Sequence, residues 1–191
     1  EEVFEQFEAH HDTTYSVAWL DCLAQNEKLG RSLLFLGEHE NDEQFKMQGS
    51  GAISVPFTSP SQLLNRYSMS AFNSVYFNKP VNTGKAQRIE AYKYFLPLDS
   101  ILHWNRLYGR KGFVQYQCVI PDASALIGIR KVLSTVSAAG KGSFLSVLKK
   151  LGPENNNILS FPMQGYTLAM DFKVERNLFA LLDELDNIVA D

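Results

Sequence analysis

The chain has 191 residues, 45% of them hydrophobic, and carries 18 Lys and Arg against 21 Asp and Glu for a formal net charge of −3. That length and apolar content supply a full core for one large domain or two small ones and exclude a disordered chain. The net acidity argues against a general nucleic-acid binder, and no apolar run is long enough for a transmembrane segment.

The first half reads as mixed helix and strand. Val3, Phe4 and Phe7 at helical spacing predict a helix over Glu1–His10. Thr14–Asp21 and Arg31–Gly37 read as strands, followed by a polar loop from Glu38 to about Ser50 and a short extended Ile53–Pro56 segment. Ser59-Pro60-Ser61-Gln62 has the form of a helix start, with Ser59 at the N-cap, Pro60 next and Gln62 at the third position. The helix is expected to reach about Tyr76 and to bury Leu64, Tyr67, Ala71, Phe72 and Val75. Arg88–Phe95 reads as a strand, and Pro97-Leu98-Asp99 opens a short helix through Trp104 to about Tyr108, stopped by Gly109.

The second half has a sharper pattern. A strand over Gly112–Ile120 leads through Pro121 and an Asp122 N-cap into a helix with Leu126, Ile129, Leu133 and Val136 on its apolar face, ending at Gly140. Ser143–Lys149 and Tyr166–Val174 read as strands, and Leu178, Leu181, Leu182, Leu185 and Ile188 mark a last helix. The order β-α-β-β-α is a ferredoxin-like split βαβ unit lacking its final strand, which would begin at Asp191. The predicted class is α+β: an antiparallel sheet covered by helices on one face and open on the other. Together with a start that lacks Met and reads as mid-helix, this leads us to expect a single domain, residues 1–191, excised from a longer protein.

The strongest functional signal is the strand Gly-Phe-Val-Gln-Tyr-Gln-Cys-Val-Ile. Alternation places Val114, Tyr116, Cys118 and Ile120 on a core face and Phe113, Gln115, Gln117 and Val119 on the other. The two glutamines then stand about 7 Å apart. A buried amide without partners costs about 1–3 kcal/mol, so a strand this apolar is expected to spend two of them on a polar ligand. Lys149 shares its strand face with Leu145 and Val147, opposite Lys150; it reads equally as a cation for a phosphate or hydroxyl-rich ligand and as a surface lysine. Between Lys85 and Lys150 eleven Lys and Arg stand against three Asp and Glu, which suits an anionic ligand. Trp19 reads first as core. Hydrolase, zincin and P-loop signatures are absent. Gly49-Ser50-Gly51 is a lone Gly-x-Gly, His10-His11 does not have metal-ligand spacing, and Cys22 and Cys118 suggest neither a disulfide framework nor a metal site, which points to a reducing compartment.

Ser16-Val17-Ala18-Trp19-Leu20-Asp21, Leu29-Gly30-Arg31-Ser32, Leu64-Asn65-Arg66, Pro97-Leu98-Asp99, Trp104-Asn105-Arg106, Tyr108-Gly109 and Gly112–Gln117 occur in order along the chain, followed by Ser143-Phe144-Leu145, Gly152-Pro153, Ser160-Phe161-Pro162 and Asp171-Phe172. Together they resemble the cap domain of the vanillyl-alcohol-oxidase type of FAD-linked oxidases, nearest to members that oxidise a ribose or a sugar lactone. The resemblance implies a substrate-binding domain whose FAD is gripped by a separate domain, built from segments before and after the cap. The substrate would lie between flavin and cap sheet and lose a hydride from a carbinol carbon. Gln115, Gln117, Lys149 and Trp19 match pocket residues of the family. Phe95 stands where the ribose-oxidising members have tyrosine, Thr167 replaces an asparagine, Ala169 a cysteine beside the flavin, and Leu151 a phenylalanine.

The reading is therefore the substrate domain of an FAD-dependent oxidoreductase acting on a sugar or alcohol CH–OH group. Its partners would be a sugar or sugar phosphate and its own FAD-binding domain, with no nucleic acid and no metal. The fragment alone is expected to be inactive, to contain no catalytic residue, and to sit in the cytoplasm or peripherally at a membrane. The alternative is a non-enzymatic ferredoxin-like ligand-binding or regulatory module, since such folds host many functions.

Overall fold

The computed structural model describes residues 1–40, 53–60, 62–79, 85–160 and 162–191. It has an α+β architecture with strands β1 (Tyr15–Leu20), β2 (Ser32–Gly37), β5 (Phe113–Pro121), β6 (Ser146–Leu151) and β7 (Gly165–Lys173) in one antiparallel sheet, ordered β2-β1-β6-β7-β5. A separate parallel pair joins β3 (Ile53–Ser54) to β4 (Ile101–Leu102). The helices are α1 (Glu2–Ala9), α2 (Arg66–Phe77), α3 (Ala91–Phe95), α4 (Asp122–Ala139) and α5 (Leu178–Ala190).

The alternation read in the sequence sets the core. Ala18 and Leu20 of β1, Leu148 of β6, Tyr166, Leu168, Met170 and Phe172 of β7 and Ile120 of β5 point to one face. Against them pack Phe7 of α1, Ala125, Ile129, Val132, Leu133 and Val136 of α4, and Leu178, Leu181 and Leu185 of α5. The split βαβ order holds: β5 and β6, joined by α4, lie either side of β7. Two glycines are required by geometry. Gly140 ends α4 in the left-handed conformation at φ 65°. Gly165, at φ 158°, lies so close to the Ile120 carbonyl across the β5–β7 ladder that a Cβ would clash with it.

Several expectations need correction. The second helix begins at Arg66, not after Ser59: Asn65 caps it, its Oδ1 accepting from the backbone amides of Tyr67 and Ser68 at 2.9 and 3.1 Å while Ser68 Oγ accepts from the Asn65 amide at 3.0 Å. Its buried face is also different. Met69 and Asn73 are buried, whereas Tyr67, Phe72 and Val75 are exposed. The reason is polar: Asn73 donates to Asp21 Oδ1 at 2.8 Å and fixes the helix rotation. Residues 91–95 form a helix rather than a strand, because their aromatic side chains pack onto β1 instead of joining a ladder. The helix predicted over 97–108 is two 3₁₀ turns separated by β4 and by His103 at φ 58°. Asp122 is the first helical residue of α4, with Pro121 at the cap, and Leu126, 36% exposed, lies at the rim while Val132 joins the core. Of the loop predicted from Glu38 to Ser50, residues 41–50 lie outside the described residues, as do Gly51, Ser61 and Phe161.

Candidate functional site

The second face of the sheet is where the candidate residues meet. In the β5–β7 register Gln115 lies opposite Asp171, Gln117 opposite Ala169 and Val119 opposite Thr167. In the β6–β7 register Val147 lies opposite Ala169 and Lys149 opposite Thr167, and Trp19 of β1 lies opposite Val147. Strand alternation therefore puts Gln115, Gln117, Lys149, Thr167, Ala169 and Trp19 on one surface.

That surface is covered at both ends rather than open throughout. At one end an aromatic band crosses it. Trp104 and Tyr108 pack on Phe113 at 4.8 and 4.6 Å between ring centroids, Tyr108 and Phe72 on Phe144 at 5.3 and 5.8 Å, and Tyr76 on Trp19 at 4.7 Å. At the other end Phe95 of α3 packs on Tyr15 at 4.8 Å. The centre, with Gln117, Lys149 and the half-buried Ala169 and Val147, remains uncovered by the described residues.

The side chains differ in what they leave free. Gln117 Nε2 donates to Thr167 Oγ1 at 3.1 Å, and Gln115 Nε2 donates to Asp171 Oδ1 at 2.9 Å. Lys149 is exposed and makes no hydrogen bond or ion pair among the described residues, while its neighbour Lys150 is held by Glu8 on the other face. Trp19 is buried and its indole N–H donates to the Phe144 carbonyl at 3.0 Å, so it serves the aromatic band first. Phe95 is separated from the glutamines and flanks the far end of the same face.

Sequence reasoning passed over Asp171 and Tyr108. Asp171 is 1% exposed, its Oδ2 has no hydrogen-bond partner among the described residues, and burial pushes its carboxyl above the usual range, against the opposing Gln115 bond. Tyr108 is also buried, its hydroxyl without a partner among the described residues, and its pKa is raised by burial first and then by the Asp171 charge. The signal for Asp171 was present: it shares the parity of Thr167 and Ala169, on a strand otherwise as apolar as the Gln-Tyr-Gln strand.

Other reactive groups have ordinary local roles. Burial holds the Cys22 thiol at about 12 and the Cys118 thiol at about 11, too high for a nucleophile near neutrality. His10 and His11 each place Nδ1 on a carbonyl of α1, at 2.9 and 3.0 Å from Gln6 and Glu8. A cleft of about 440 Å³ lies elsewhere, between the start of α2 and the ends of α4 and β7, and includes none of the predicted site residues. Among the described residues no helix is long and apolar enough to cross a membrane.

No family model matches the chain. The chain is 30% identical over 188 residues to decaprenylphosphoryl-β-D-ribose oxidase of Mycolicibacterium smegmatis, a match covering 93% of this chain. The chain spans 40% of that relative's length. The match thus extends over nearly the whole sequence, as the ordered short motifs do.

Proposed function

We propose that this chain is the substrate-binding domain of an FAD-dependent oxidoreductase that oxidises a CH–OH group of a sugar or related alcohol. The observation that carries the reading is the polar strip of Gln115, Gln117 and Lys149 on a sheet face whose centre the described residues leave uncovered, in a chain 30% identical to decaprenylphosphoryl-β-D-ribose oxidase. The amides hold substrate hydroxyls, and the buried Thr167 hydroxyl steadies Gln117. Lys149 takes a hydroxyl or an anionic group such as a phosphate. Phe95 and the aromatic band around Trp19 form apolar walls that fix the approach of the substrate and shed water.

The face also suits one side of a flavin. Ala169 sits between Gln117 and Val147, and its small side chain leaves room at the centre of the sheet. FAD bound there would supply the hydride acceptor, and this chain's residues would orient the carbinol toward it. The grip on the dinucleotide belongs to a separate domain in this proposal. The two free cysteines support a reducing compartment, the cytoplasm.

The test has two arms. The 191-residue chain alone should take up no stoichiometric FAD, whereas the full-length protein should purify yellow and bleach anaerobically with its sugar substrate. In the latter, Gln117→Ala should impair turnover with FAD content unchanged. A colourless full-length protein that acquires no flavin on addition of FAD would sink the reading.

A further inference from the structure

We propose that Asp171 is a positioning residue that locks Gln115 as a hydrogen-bond acceptor toward the ligand, so that this half of the site selects a hydroxyl donor over an anion. The inference rests on the reading of this face as a substrate site and deepens it.

The two glutamines look alike in sequence but are held by chemically different partners. Thr167 Oγ1, which meets Gln117, is a hydroxyl that both donates and accepts. Gln117 can therefore turn its amide over and keep a bond, presenting either its oxygen or its nitrogen outward. Asp171, ionised, only accepts. Gln115 must then direct Nε2 at Asp171 Oδ1, the 2.9 Å contact observed, and its Oε1 is left on the far side of the amide with no donor among the described residues. Gln115 is exposed, so that oxygen is accessible. An outward amide oxygen accepts from a hydroxyl and repels a phosphate.

The cost of Asp171 favours a role beyond stability. Its carboxyl is buried, and among the described residues no cation pairs with it and Oδ2 has no partner. Such a group destabilises a fold, and an asparagine would accept the same bond from Gln115 without a charge. What asparagine lacks is direction: it also donates, so it would permit the flipped amide. Only the carboxylate imposes one orientation.

The experiment uses the full-length protein, ¹⁵N-labelled on its glutamine side chains, with D-ribose and inorganic phosphate as probes. In the wild type one Gln115 side-chain amide proton should exchange about tenfold more slowly than either Gln117 proton, equivalent to about 1.4 kcal/mol. Asp171→Asn should abolish that contrast and weaken D-ribose binding about tenfold, by the same equivalence. In the Gln115→Glu/Asp171→Asn double variant the asparagine donates to one glutamate oxygen and leaves the other as an outward acceptor, so D-ribose affinity should recover. Phosphate should shift signals near Lys149 and leave Gln115 unmoved. Equal exchange of the Gln115 and Gln117 protons in the wild type would overturn the lock. So would D-ribose affinity unchanged in Asp171→Asn; if that variant fails to fold, a double variant no better than Gln115→Glu alone has the same force. A slow Gln115 proton in a wild type that binds no D-ribose would leave the lock standing and count instead against the sugar-binding reading.

Discussion

Gln117 donates to the Thr167 hydroxyl at 3.1 Å, although the residue directly opposite Gln117 in the β5–β7 ladder is Ala169. The bond runs diagonally across the pair, drawn there because alanine offers the amide nothing. Thr167→Val keeps the β-branched shape and removes the acceptor. A single hydrogen bond contributes about 0.5–1.5 kcal/mol net, so the melting temperature should fall by no more than a few degrees. The released Gln117 should raise KM for the substrate several-fold while kcat changes less, read from steady-state kinetics of the full-length enzyme. An unchanged KM would mean that Gln117 does not contact substrate.

The gap left by the diagonal bond is itself a testable feature. Ala169 is half-buried at the centre of the face, flanked by Gln117 and Val147. Ala169→Leu projects a bulky group from a surface that the described residues leave uncovered, where the fold can accommodate it within about 0.5 kcal/mol. Turnover should nonetheless fall at least tenfold because the added carbons occupy space needed by substrate or flavin. Comparing urea midpoints with kcat/KM separates the two effects, and wild-type kinetics in this variant would move the site off the sheet centre.

The contrast between these strands and the helical insert shows what local pattern can carry. β5 and β7 were legible because period-two alternation fixes both their existence and their faces, and the glutamines stood out against that alternation. α2 was legible as a helix but not in its start or rotation. Its rotation is set by a long-range polar contact from Asn73 to Asp21, 52 positions away, which no local periodicity encodes. α3 was misread because Tyr92, Tyr94 and Phe95 favour strands by composition, while in the structure the Tyr94 hydroxyl reaches the carbonyls of Tyr15 and Phe35 at 3.5 and 3.4 Å. The aromatic band over the site is assembled from five separate segments, so it appears only when the chain is folded.

The Asn73 contact leads to a stability prediction. Asp21 is 1% exposed and is served by Arg31, at 2.7 Å, by Asn73 and by the Leu23 amide at 3.1 Å. Asn73→Ala leaves the charge buried with one donor fewer and opens a small void, at a cost of about 1–3 kcal/mol. Denaturant unfolding should show that loss. The α2 aromatics should lose order first, seen as a change in Trp19 fluorescence as Tyr76 withdraws. A variant as stable as the wild type would show that α2 is held by its apolar contacts alone.

Lys149 and Lys150 are adjacent in sequence and are predicted to separate cleanly by experiment. Lys150 and the Tyr166 hydroxyl both donate to Glu8, and these two bonds, in that order of importance, lower the Glu8 carboxyl pKa below its ordinary 4.5. A folded-state value below the unfolded one stabilises the fold above the unfolded pKa, and the contribution is lost as pH falls through the folded value. The wild type should therefore lose stability from about pH 4.5 downward more steeply than Glu8→Gln, by an amount kept small because Glu8 is solvent-exposed. Lys150→Met should mimic Glu8→Gln in this respect and leave turnover intact. Lys149→Met should do the reverse: unpartnered among the described residues and aligned with Thr167, it should leave the pH–stability curve unchanged and reduce kcat/KM about tenfold. Thermal melts between pH 3 and pH 7, set beside kinetics near neutrality, read both effects, and a Lys149→Met enzyme with full activity would reassign that lysine to the solvated surface.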